Sequence, residues 1–150
     1  MEKFTSPLRI KLNNLLERIH DGEKGFKKAS EHTDHLFLKR YFEKKSKERY
    51  DFVNELKIDI SMYGVHDDDS GSFEGAAHRT WMDIKALFSM DNDEAMLEAA
   101  ITGEKTALED YNDILNDHHL PLSTRSILLK QKEAIEDDLR TIKKLEDLKS

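Results

Sequence analysis

Apolar residues recur every three or four positions along four long runs of this chain, the spacing of amphipathic helices. In the first run Leu8, Leu12, Leu15, Leu16, Ile19 and Phe26 fall on one stripe at about 100° per residue. Ser6-Pro7 opens it: serine can cap, and proline is tolerated where the N–H groups lack helical partners. The pattern fades at Glu31-His32-Thr33-Asp34. The second run carries Leu38, Tyr41, Phe42, Phe52, Val53, Leu56 and Ile60, with Gly64 placed as a C-terminal cap. The third carries Leu97, Ala100, Ile101, Leu108, Tyr111 and Leu115, and Asn92 offers its cap. Pro121 ends the continuation and Ser123 or Thr124 can cap the fourth, whose stripe is Leu128, Ile135, Leu139 and Ile142, with Leu145 and Leu148 nearby. The spacing predicts helices over about 6–30, 35–63, 92–117 and 122–148.

The link between the second and third runs is long. It opens on the polar, turn-rich stretch from Val65 to Ser72. A shorter helix over about 73–89 follows, anchored by Trp81, Ile84, Leu87 and Phe88. Such a link suits a bundle whose middle connection runs its whole length, the ferritin-like arrangement. The expected fold is therefore all-α, a single ferritin-like four-helix-bundle domain over residues 1–150.

Two triplets, Gly22-Glu23-Lys24 and Gly103-Glu104-Lys105, each set a glutamate inside an apolar stripe. Gly22 and Gly25 are expected to admit a close neighbour. Paired glutamates on the first and third helices are half of what a carboxylate-bridged dimetal bundle needs; the other two helices each give Glu-x-x-His. Here that motif is missing. The nearest substitutes are Glu48 with Asp51, and Glu136, since Glu133 lies almost opposite its helix's stripe. Glu23, Glu104, Glu48, Asp51 and Glu136 are thus the candidate ligands for iron or another divalent metal. His32, His35, His66, His118 and His119 sit in links, and His20 lies off the stripe centre. Lys45 and Arg49 fall in the same arc as the second stripe, and Gln131 and Lys132 point inward or to the rim. The alternative is a polar core network of Glu23, Glu104, Lys45, Arg49, Gln131 and Lys132. That much positive charge favours an ion-paired layer, which costs desolvation but can set register. On this reading no cofactor is expected.

Composition narrows the classes. Hydrophobic and charged residues each make up 37%, which suits helices with charged outer faces. The formal charge of -7 disfavours nonspecific nucleic-acid binding. The chain has no cysteine, so disulfides and thiolate metal sites are excluded. No apolar run is long enough for a membrane helix, and Met1 to Ser6 lacks a signal-peptide core, so a cytoplasmic protein is expected. Asp67-Asp68-Asp69 lacks the spaced ligands of a calcium loop. No phosphate-binding glycine loop or nucleophile–base pairing is found.

The stretch Gly71-Ser72-Phe73-Glu74-Gly75-Ala76-Ala77-His78-Arg79-Thr80-Trp81 resembles a bacterial ferritin-like four-helix-bundle family of unknown function. Its members carry Gly-Ser-x-x-Gly-x-x-His-Arg-x-Trp ahead of the third helix. Glu48-Arg49 with Phe52 and Glu55-Leu56, Gly103-Glu104 with Tyr111, and Gln131 with Ile135 extend the resemblance over almost the whole chain. It implies a ferritin-like fold and no established activity. Many members have a histidine where this chain has Leu139, which weakens a dimetal centre further. His78, Arg79 and Trp81 read either as a ligand-binding cluster or as the anchor of the crossover, with Trp81 burying its ring against the bundle. Two functions are expected to compete. One is a non-catalytic bundle acting through homodimerisation or a protein partner, with a stress response as its setting. The other is a metal-binding oxidoreductase acting on dioxygen or peroxide.

Overall fold

The computed structural model describes residues 6–65 and 92–148, and these form four helices with no strand among them. The predicted crossover helix, the Asp67–Asp69 run and the His78, Arg79 and Trp81 cluster lie outside the described residues. Helix α1 spans Ser6–His32, α2 Leu36–Ser61, α3 Asp93–Leu115 and α4 Leu122–Thr141. None is long and apolar enough to cross a membrane.

Their ends follow local chemistry. His35 caps α2 by accepting the Leu38 N–H at Nδ1 (3.2 Å). At the other end Val65 N–H reaches the Ile60 carbonyl and Gly64 N–H the Ser61 carbonyl. That is a Schellman closure, and it needs the φ of +85° that Gly64 adopts. Val65, just beyond, is buried. Asn92 caps α3 through Oδ1 on the Ala95 N–H, and Asp93 and Glu94 sit at the positive end of the helix dipole. Helix α4 differs from the reading of its sequence at both ends. Pro121, rather than Ser123 or Thr124, is the capping residue, and no side chain caps the helix. The two hydroxyls are used elsewhere: Ser123 meets Tyr63 in the turn after α2 (2.9 Å) and Thr124 donates to Asp59 of α2. The helix also stops at Thr141, short of 148. Ile142 is extended, Asp147 takes the N–H groups of Lys143 and Lys144, and Leu145–Asp147 makes a 3₁₀ turn. The turn folds Leu145 and Leu148 back onto the core.

Cross-helix contacts set the topology. Along α1 and α3, Lys11 meets Asp113, Arg18 meets Asp110 and Thr33 meets Asp93, so the two run antiparallel. Along α2 and α4, Tyr41 meets Asp138, Gln131 reaches Phe52 and Glu55, and Asp59 meets Thr124, again antiparallel. Helices α1 and α2 are antiparallel as well: Lys39 donates to the Ser30 carbonyl and Ser46 to that of Glu23. Hence α2 and α3 run the same way. Helix α2 finishes beside the start of α1, where Arg9 donates to the Gly64 carbonyl, and α3 begins beside the end of α1. The two ends joined by residues 66–91 lie at opposite ends of the bundle.

The core is in two parts. Leu8, Leu12, Leu15 and Ile19 pack with Leu56, Ile60, Tyr111, Ile114, Leu128 and Ile135 in one. Phe26, Ala29, Leu38, Phe42, Met96, Leu97 and Leu148 form the other. Between these levels each stripe gives way to polar side chains.

Candidate functional site: a charged layer between two apolar cores

Helix α2 supplies two cations to the layer. Lys45 and Arg49 lie one turn apart on the buried face and are 1% and 3% exposed. Glu104 of α3, 2% exposed, faces both. Arg49 donates to its Oε1, and the Lys45 ammonium lies 3.0 Å from its Oε2. The Oε2 contact is an ion pair rather than a directed hydrogen bond, because no donor meets that oxygen at a good angle. Lys45 also lies 2.9 Å from Glu48 Oε1 and 3.4 Å from Asp138 Oδ2. One ammonium therefore gathers carboxylates from α2, α3 and α4. Asp138 in turn accepts the Tyr41 hydroxyl (2.7 Å). The Arg49 guanidinium sits 5.7 Å from the ring centroids of both Phe26 and Phe52, so its faces rest on aromatic surface while its edge meets Glu104.

Protonation follows from the surroundings. Burial pulls Arg49 below its ordinary value, against the pull of neighbours that include Glu48 and Asp138. Burial, and then Asp138, push the Tyr41 hydroxyl up, so it remains a donor. Burial does the same to Tyr111, whose hydroxyl donates to Gln131 Oε1 at 2.5 Å. Gln131 is fully buried and spends its amide N–H groups on the Phe52 carbonyl and Glu55. It belongs to a second polar knot one level away from Lys45.

The candidate residues do not all meet. Glu23 is half-buried with its carboxylate 3.7 Å from His20 Nε2, apart from Glu104. Asp51 is exposed, and Glu136 and Lys132 are half-buried outside the layer. Gly22 is no site of unusually close approach: a Cβ there would meet Arg49 Cγ at 4.0 Å, an ordinary contact. Two members of the layer, Asp138 and Tyr41, escaped the reading of the sequence as polar participants. Asp138 carried the signal, since it stands seven residues after Gln131 and three after Ile135, on the same stripe. Asp59 and Thr124, both buried and bonded to each other, were legible in the same way.

A dimetal centre needs several carboxylates free to bind metal and to leave positions open. Here Glu104, Glu48 and Asp138 all face the Lys45 ammonium, and Glu104 also faces Arg49. Among the described residues no three His, Asp or Glu side chains converge on a point that could hold a metal ion. What the arrangement does chemically is pair charge with charge, two cations against three carboxylates, with one negative charge in excess at the water-facing edge. Only the Glu48 and Asp138 side chains, about a quarter exposed, reach water.

No curated protein and no solved structure matches the chain. The family described as a domain of unknown function, DUF2383, matches residues 10–117, which takes in α1 from its second turn, α2, α3 and every charge of the layer but Asp138. The chain belongs to the DUF2383 family.

Proposed function

We propose that this chain is a ferritin-like bundle that works by association, with a second copy or a protein partner, and not by catalysis. The carrying observation is the cation position inside the layer. In a metal-dependent bundle that position is left to the metal; here the Lys45 ammonium takes it, and Arg49 engages the remaining oxygen of Glu104. The helix directions support the ferritin-like assignment, because a connection between ends at opposite poles is what separates that arrangement from an up-down-up-down bundle.

Elemental analysis after anaerobic iron loading tests the reading. Iron well below one per chain is expected, with no difference between the native protein and a Glu23→Ala/Glu104→Ala variant. Retention of about two irons per chain, lost in that variant, would replace this reading with a di-iron protein acting on dioxygen or peroxide.

A further inference from the structure

The bundle is electrically lopsided. Residues 6–65 hold 13 Lys and Arg against 10 Asp and Glu, whereas residues 92–148 hold 7 against 14. The excess positive charge is concentrated at one height. Lys24, Lys27 and Lys28 on α1 and Arg40, Lys44 and Lys47 on α2 are all exposed. The contacts of Ser46 with the Glu23 carbonyl and of Lys39 with the Ser30 carbonyl hold these two segments side by side. The exposed acids among them are fewer: Glu31, Asp34 and Glu43. Helices α3 and α4 form the opposite side of the bundle, since α3 packs on α1 and α4 on α2. On that side α3 exposes Glu94, Glu98, Glu109 and Asp113 against Lys105 alone, whereas the exposed charges of α4 balance, Glu133 and Asp137 against Lys130 and Arg140. Glu94 and Glu98 lie near the Thr33–Asp93 end, the same end as the basic segment.

We infer that the basic outer surface of α1 and α2 docks on the acidic outer surface of α3 of a second copy of this chain. The inference rests on the reading of the chain as an association module and names the surfaces it uses. Opposite charge on opposite faces makes the contact heterologous: a pair of copies keeps one face of each sign unused, so growth continues into a chain unless the rotation closes a ring. Contacts of this kind are steered by the summed field and weaken once the screening length falls to a few ångströms.

Sedimentation velocity against protein and salt concentration tests it. Weight-average mass should rise with protein concentration at about 20 mM salt and return to monomer at about 0.5 M, where the Debye length is a few ångströms. A Lys27→Glu/Lys44→Glu variant and a Glu94→Lys/Glu98→Lys variant, each checked for native helicity, should both stay monomeric alone. Mixed together they should associate, because each then offers the face the other lacks. A wild type that stays monomeric at low salt overturns the inference; if it instead binds anionic vesicles or an oligonucleotide there, the basic surface belongs to a polyanion. Association that ignores both salt and the reversed charges also overturns it, and leaves the association reading standing on another surface. Stoichiometric iron in the loading experiment would count against that reading whatever the sedimentation result.

Discussion

Among the described residues Glu104 is the only acidic side chain that meets both Lys45 and Arg49, and removing it leaves two buried cations short of charge. Glu104→Ala should lower stability by about 3–5 kcal/mol, the usual cost of breaking a buried pair from one side. Replacing the three together, as Lys45→Met/Arg49→Leu/Glu104→Leu, should be neutral or stabilising by about 1–4 kcal/mol, since apolar packing then joins the two cores. Chemical denaturation of both variants checks the contrast, and a triple variant as weak as the single one would contradict it. A smaller effect is expected at Asp21. Burial, and then Glu17, raise its carboxyl above the usual value of 3.8, and its Oδ2 is buried without a partner. A raised acid favours the folded state below its unfolded pKa and loses that contribution as pH rises through the folded value. At neutral pH Asp21 is therefore a liability. Asp21→Asn should raise the melting temperature at pH 7 and give no gain below pH 3.8; an equal gain at both would mean the cause is not the charge.

At the scale of the helices, glycine weakens α1 and α3 without a compensating contact. A Cβ at Gly103 would meet nothing within 4 Å, and one at Gly22 only Arg49 Cγ at 4.0 Å. Gly22→Ala and Gly103→Ala should each stabilise by about 0.5–1 kcal/mol, the difference in helix propensity. A loss at Gly22 would show that Arg49 cannot give way. Gly64 is a different case, since its φ of +85° closes α2 and an L side chain there is strained. The end of α4 shows how far periodicity carries. Ile142, Leu145 and Leu148 keep helical spacing, so the pattern runs on past the point where the backbone turns. Asp147 decides the break by holding the N–H groups of Lys143 and Lys144. The resulting turn lets Leu148 cover Phe26, Phe42 and Met96.

For the whole molecule, the direction of α3 relative to α2 is the feature most open to measurement. Met62 and Asn92, both exposed, mark the ends that residues 66–91 join. Helix α2 is 26 residues long, so those ends should stand ~40 Å apart at a rise of ~1.5 Å per residue. The chain has no cysteine, so Met62→Cys/Asn92→Cys can carry two spin labels without interference, and pulsed dipolar spectroscopy reads the separation. A distance below about 20 Å would mean that α3 starts where α2 stops, and would remove the support for the ferritin-like assignment.

The sequence by itself determined the four helices, most of their ends and their inward faces, because these depend on neighbours within a few residues: stripe spacing, Asn92, Gly64, Pro121. It also showed that Lys45, Arg49 and Glu104 share those faces. Only the tertiary structure decided which charges meet. Lys45 meets Asp138 across 93 residues and Glu104 across 59, while Glu23, on the same stripe as Phe26, turns to His20. A stripe sets the direction of a side chain to within about a quarter turn, whereas an ion pair needs atoms within 4 Å. The helix packing that closes the gap around Lys45 is written in contacts between distant residues, and one chain read alone does not display them.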